Sequence, residues 1–446
     1  MTVRNMNLVA PLAHEATAMH TTDTSGLVSG RSGAVAQVIG SGLRLSDVDS
    51  AIKRPSARTS TMAIRTTTTS TTTTWCAPSA DSSGYTFESL LQAYLDCRRH
   101  KRNTGSALEF EQNLERNLYQ LHKELESREY EPGRSICFVV TRPKAREVWA
   151  AAFRDRIVHH LLYNQISPYF YRRFIADTCA CIPGRGTLYG IARLESKIRS
   201  ITHNWSKPAF YLKCDISNFF VSIDKSVLWQ QLLPGLNTEW LTWLCGVTLF
   251  HDPRTNYEYQ GDPARLNLVP PHKRLTNQKN GWGLPIGNLS SQFFANVYLD
   301  ALDQFAKHQL GARHYIRYVD DFVLLHESAQ WLNNARVQIE EFLPARLGVQ
   351  LNPKKTILQP VDRGVDFVGQ VIKPWHRTVR ARTRNEGLRR TSTISADNLF
   401  ETANSYFGLF RQATHSHSDR VVLANLLRAR GHAVKGDLTK TYRRST

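Results

Sequence analysis

Tyr318-Val319-Asp320-Asp321 stands between two apolar, β-prone runs, His314-Tyr315-Ile316-Arg317 before it and Phe322-Val323-Leu324-Leu325 after it. The pattern reads as a β-hairpin with two adjacent carboxylates at its tip. Carboxylates held side by side repel and destabilise each other unless a cation lies between them. A divalent ion that prefers hard oxygen ligands suits that place: Mg²⁺ first, with Mn²⁺ accepting the same donors.

Upstream, Ala209-Phe210-Tyr211-Leu212-Lys213-Cys214 reads as a buried strand that closes on Asp215. Asp215 and Asp320, on separate rigid elements, would hold two ions, with Asp321 as a supporting carboxylate. In such a pair one ion activates an attacking hydroxyl and the other steadies the leaving group. Asp215-Ile216-Ser217-Asn218 alone also reads as a helix cap, but a cap leaves the downstream aspartates unexplained.

The chain has 446 residues, with 57 Lys plus Arg against 38 Asp plus Glu, for a net charge of +19. Its pI of about 9.8 points to a polyanionic partner, most simply nucleic acid; a merely soluble basic protein is the plainer alternative. The seven cysteines match no zinc-binding spacing, and an odd count argues against a full disulfide framework. Free thiols in a reducing compartment follow, and with them a cytoplasmic location. No apolar stretch approaches bilayer length, so no membrane partner is expected.

Residues 1–82 are rich in Thr, Ser, Ala and Gly, and Thr66 to Thr74 is broken only by Ser70. That composition predicts a disordered leader, because little apolar surface offsets the ordering entropy. Folded sequence is expected from about Tyr85. Helical periodicity appears near Leu90–Leu95 and over Leu108–Leu125. A strand is expected at Ser135–Val140, then a basic loop, Arg142-Pro143-Lys144-Ala145-Arg146, and a helix from Ala151 to Gln165. Residues 251–281 read as a long loop, and the chain from Arg377 reads as basic and helical.

Five stretches in order resemble reverse transcriptases. Phe210 to Ile223 is similar to their first catalytic motif, Gly283 to Gln292 (GLPIGNLSSQ) to their template and nucleotide motif, and Tyr318 to Asp321 to their metal-binding box. Leu351 to Thr356 (LNPKKT) and Val365 to Gly369 (VDFVG) resemble the two motifs that follow. The resemblance implies an α+β right-hand fold: fingers and an antiparallel-sheet palm over 83–375, and a basic helical thumb over 376–446. It implies an RNA-directed DNA polymerase, a nucleotidyltransferase working with two Mg²⁺ ions. Its partners would be an RNA template, a DNA or RNA primer and deoxynucleoside triphosphates.

Position by position, the resemblance makes Asp215, Asp320 and Asp321 the catalytic carboxylates and gives the Ile216 carbonyl to the metal. It places Phe220 against the ribose 2′ position, and Ile286, Gly287 and Gln292 near the nascent base pair. Lys144 and Arg146 would grip the triphosphate. Lys355 would protonate the leaving pyrophosphate, a part that Lys354 beside it also fits. Arg185 and the thumb residues Arg377, Arg380, Arg382 and Arg384 would meet nucleic acid. Tyr406 and Phe407 are expected to pack within the thumb.

Two departures stand out. Ile286 occupies the usual Gln position, and Ser291-Gln292 replaces Ser-Pro, a version similar to diversity-generating retroelements and related bacterial lineages. Ile182 stands where relatives carry Arg; the resemblance then implies either that a template or nucleotide contact is missing or that Arg185 supplies it. Two biological roles follow from the resemblance: mutagenic retrotransfer with a small basic accessory protein, or antiphage defence with a dedicated non-coding RNA. A catalytically silent nucleic-acid-binding scaffold is the alternative from another class.

Overall fold

The computed structural model describes residues 85–99, 104–142 and 144–442. The expected leader, residues 1–82, lies outside the described residues.

The chain opens with three helices, α1 (Phe87–Arg98), α2 (Gly105–Gln112) and α3 (Leu114–Glu126). Thr86 and Ser89 cap α1 reciprocally, each side chain accepting from the other's backbone N–H. The periodic stretch expected as one helix over 108–125 is two, because Asn113 leaves the helical region at φ −129° and ψ 47°. Next come β1 (Ser135–Val140) and β2 (Arg146–Ala150), an antiparallel pair with Ile136 opposite Ala150 and Val140 opposite Arg146. β2 lies in the stretch expected to pass from basic loop to helix. Val148 and Trp149, 4% and 1% exposed, are buried there and make it a strand.

The helix expected over 151–165 is α4 (Phe153–Arg173), which starts just after the expected residue and runs about two turns further. It is followed by α5 (Thr187–Ile201), β3 (Phe210–Asp215), α6 (Lys225–Leu232) and α7 (Glu239–Phe250). The 251–281 stretch is folded rather than a bare loop. It contains β4 (Tyr257–Tyr259), parallel to β1, and three short 3₁₀ turns.

α8 (Leu289–Gln304) leads to β5 (His314–Tyr318) and β6 (Asp321–His326), the hairpin, then α9 (Ala329–Leu347) and β7 (Ile357–Pro360). These strands form one antiparallel sheet in the order β5-β6-β3-β7. Its side chains alternate between two cores, as a period of two requires. Leu212, Cys214, Phe322 and Leu324 face the cluster that contains α8 and α9 residues. Tyr211, Val323, Leu325 and Ile316 face Ile191, Leu194 and Ile198 of α5. A sheet buried on both faces holds its strand ends rigidly, and the carboxylates stand at one of those ends.

β8 (Val365–Phe367), β9 (Gln370–Lys373) and β10 (His376–Val379) make a small antiparallel sheet. The expected start of helix at Arg377 is therefore a strand. Helix begins with α10 (Ala381–Thr393), followed by α11 (Ala396–Phe410) and α12 (His417–Ala429). Phe407 is fully buried among Leu399, Phe410, Leu423 and Leu427, and Tyr406 packs against them. Among the described residues no helix is long and apolar enough to cross a membrane.

Candidate active site

The register of β3 and β6 sets Asp215 opposite Asp321. Tyr318 pairs with Asp321, so Val319 and Asp320 alone make the turn. The turn places Val319 at φ +55°, a sparsely populated region for a β-branched residue. Such backbone persists only where the surroundings over-determine it. Here the Arg317 guanidinium donates to the Val319 carbonyl at 3.0 Å.

Arg317 is itself completely buried and paired with Asp303, also completely buried, through Nε–Oδ1 at 2.7 Å and Nη2–Oδ2 at 2.6 Å. The Tyr315 and Thr178 hydroxyls donate to the same carboxylate at 2.7 and 2.6 Å. Arg317 Nη1 also reaches Asn296 Oδ1 at 3.2 Å. This network underpins the turn, and sequence reasoning missed it. The available signals were an arginine inside an apolar strand and an aspartate on the apolar side of α8.

Burial first, and then the charges of Asp321 and Asp215, push the Asp320 carboxyl up to about 7. Asp321 is also raised, by burial and by Asp215, with Lys213 opposing. Asp215 accepts from Asn352 Nδ2 at 3.2 Å and forms an ion pair with Lys355. Backbone contacts fix this arrangement: Asn352 N donates to the Asp215 carbonyl at 2.7 Å, and Ile216 bridges Leu351. Asn352 caps the Pro353–Lys355 turn by accepting from Lys354 N. Lys355, rather than Lys354, is the lysine seen on the acidic cluster.

Among the described residues no group of three or more His, Cys, Asp or Glu side chains is placed to hold a metal ion by itself. Mg²⁺ is ordinarily held by one or two carboxylates plus substrate phosphates and water. The crowded, like-charged oxygens of Asp215, Asp320 and Asp321 fit that partial donor set, since a dication would offset the repulsion raising Asp320.

The stretches that the resemblance places near a nucleotide are joined by backbone pairing. Leu284 N donates to the Phe220 carbonyl and Gly283 N to that of Ile223, both at 2.8 Å. Phe219 is buried in the core, whereas Phe220 beside it is only partly covered. Trp149 N donates to the Ile286 carbonyl at 2.7 Å, and Asn288 Oδ1 accepts from Ala151 N at 3.1 Å. Gly287, at φ +140°, has no room for a side chain, since a Cβ would stand 2.6 Å from the Trp149 carbonyl oxygen. Gln292 accepts from the Cys181 thiol at 3.4 Å. Lys144 is exposed, and burial, Lys355 and Arg146 lower its pKa while Asp215 opposes.

A family model described as reverse transcriptase (RNA-dependent DNA polymerase) matches residues 142–372, the range that holds β3, the hairpin and Lys355. The chain belongs to the reverse transcriptase family. Telomerase from Candida albicans, solved in complex with a TWJ fragment of telomeric RNA, is similar at 12% identity and a TM-score of 0.43. The match covers 67% of this chain and 53% of that one, so this chain spans about half that chain's length. No curated protein matches the sequence.

Several arginines expected at nucleic acid have partners within the chain. Arg185 donates to the carbonyls of Ile175 and Thr178 at 2.7 and 2.8 Å and lies over the Tyr189 ring, so it braces its own loop. Ile182, at the position where Arg was anticipated, is 6% exposed and belongs to the core. Arg377 faces Glu195 at 3.3 Å with its side chain 17% exposed, and Arg380 pairs with Asp366. Arg382 and Arg384 are exposed on α10, with Arg384 3.6 Å from Asp419. Arg146 is exposed at the first position of β2.

Proposed function

We propose that the chain is an RNA-directed DNA polymerase that extends a primer 3′-end on an RNA template with deoxynucleoside triphosphates. The observation that carries this reading is the meeting of Asp215 with the Asp320-Asp321 turn at one sheet end. In the proposed assignment Asp215, Asp320, Asp321 and the Ile216 carbonyl hold divalent ions, which when bound activate the 3′-hydroxyl and neutralise developing phosphate charge. The protein's own groups orient and protonate. Phe220 stands where a ribose 2′-hydroxyl would clash, which favours deoxynucleotides. Lys144 and Arg146 hold triphosphate oxygens by charge-assisted hydrogen bonds. Lys355, within reach of Asp215, carries the proton for the departing pyrophosphate.

Purified protein should extend a DNA primer on an RNA template with Mg²⁺, and Asp320→Ala should abolish product on a sequencing gel. Unchanged synthesis by that variant would refute the site assignment.

Within this activity we assign the chain to mutagenic retrotransfer, on the strength of Ile286. An apolar side chain cannot hydrogen-bond near the nascent base pair as Gln does, so discrimination relaxes, most at template adenines. Ile286→Gln should lower misincorporation opposite adenine when products are sequenced. An identical error spectrum would remove the support for this role.

A further inference from the structure

A cavity of about 330 Å³ opens beside the Phe219–Ser222 turn that carries Phe220. Ser217, Asn218, Gln278, Lys279, Trp282 and Gln350 line it, drawn from three separate parts of the chain. Backbone contacts hold those parts together. Ser217 N donates to the Gln350 carbonyl at 2.8 Å, next to the pairing of Asp215 with Asn352. Lys225 N donates to the Gly281 carbonyl at 3.0 Å and Asp224 bridges Trp282, which seats the indole at the start of α6. Arg254 donates to the Gln278 carbonyl at 2.6 Å. The walls are thus formed before anything enters, as is usual for small-molecule sites.

Several lining groups have nothing to bond within the protein. Asn218 heads its turn at φ +48° yet makes no side-chain cap hydrogen bond. The exposed side chains of Lys279 and Gln350 have no partner among the described residues. Gln278 gives Nε2 to the Arg274 carbonyl at 2.9 Å and keeps its side-chain oxygen. Trp282 is partly exposed. An indole stacks on the face of any base. A carboxamide offers a donor and an acceptor together, which suits the edge of a base. An ammonium suits a phosphate, and no carboxylate lines the cavity to repel one. The volume lies at the low end of the range for small-molecule sites, about 300–1,000 Å³.

We propose that this cavity binds a single nucleotide outside the acidic site, with its base against Trp282 and the carboxamides of Asn218 and Gln350 and its phosphate at Lys279. A free nucleotide and the unpaired end of an RNA strand present the same groups. Binding here needs neither metal nor primer, so it stands apart from the polymerase reading. The Asn218 carbonyl accepts from Val221 N at 3.1 Å and Ser222 N at 3.2 Å, so a nucleotide on Asn218 braces the turn that carries Phe220.

The test is isothermal calorimetry of the full chain with AMP, GMP, CMP and UMP in turn, in EDTA and without template. At least one should bind at a single site. Trp282→Ala should weaken it about tenfold, the scale of one base stacked on an aromatic ring, and Trp282→Phe should keep most of the affinity. Gln350→Ala should cost about fivefold and Lys279→Ala about threefold, and these exposed positions report the site even where Trp282→Ala fails to fold. Lys144→Ala and Lys207→Ala should leave Kd alone. A short single-stranded RNA with a 5′-phosphate separates the sources: a site for strand ends has it displace the monophosphate and lose affinity with Trp282→Ala, and a site for free nucleotides has it do neither. A folded wild type that binds none of the four at millimolar concentration overturns the inference. So does a Kd indifferent to Trp282→Ala and Gln350→Ala, or one that weakens with Lys144→Ala instead, which would place the nucleotide at the acidic site. Failure of primer extension with this binding intact would count against the polymerase reading alone.

Discussion

Removing Arg317 strands a carboxylate. Asp303 is fully buried, and its two oxygens are divided among Arg317, Tyr315 and Thr178. Breaking one side of a buried ion pair usually costs about 3–5 kcal/mol. Arg317→Met should therefore lower unfolding stability in urea by that order. It should also reduce synthesis, because the Val319 carbonyl loses its donor and Asp320 its fixed aim. The double change Arg317→Met with Asp303→Leu should recover much of the stability, since apolar pairs often replace buried ion pairs at little cost. Activity should not return with it. A doubly substituted protein that is both stable and fully active would mean that Arg317 holds the fold and not the turn.

At the scale of elements, α8 carries a pH dependence. Burial, and then the neighbouring Asp303 charge, push Asp300 up to about 6 against a hydrogen bond from Gln304. An unfolded aspartate titrates near about 3.9. The folded state therefore binds this proton more tightly, so stability falls as pH rises from about 4 to about 6 and stays reduced above that. Asp300→Asn removes the ionisation. Its Tm should match wild type near pH 4 and exceed it at pH 7 to 8 in scanning calorimetry. A constant offset at every pH would point to packing instead.

The same scale explains what could be read from the chain and what could not. β3 and the hairpin were legible because each is an uninterrupted β-prone run ending at a carboxylate, and burial on both faces keeps such runs apolar. The choice between Lys354 and Lys355 was not, since it depends on the Asn352-capped turn that swings one lysine onto Asp215. β2 and β4 were missed for a related reason. β2 begins Arg-Glu, and Glu147 is buried only because the 251–281 segment supplies its hydrogen-bond donors. β4 has three residues and exists because β1 offers an edge. Arg317 and Asp303 stand on apolar elements, but their pairing could not be read before the fold brought them together.

At the scale of the whole molecule, a net charge of +19 argues for a polyanion but does not say which cations face it. Exposure sorts them. Arg377 is covered and faces Glu195, whereas Arg382 and Arg384 are exposed on α10. Under the proposed activity, the exposed pair should release counterions when a template–primer duplex binds, and the covered residue should not. A plot of log Kd against log salt should lose about one unit of slope, or slightly less, for each of Arg382→Ala and Arg384→Ala. Arg377→Ala should leave the slope alone and lower Tm slightly, because Glu195 keeps Arg199 as its one remaining cation and the covered packing of the Arg377 side chain is lost. Fluorescence anisotropy over a salt series decides the matter. If Arg377→Ala flattens the slope while Arg382→Ala does not, the duplex runs along the small β8–β10 sheet and not over the outer face of α10.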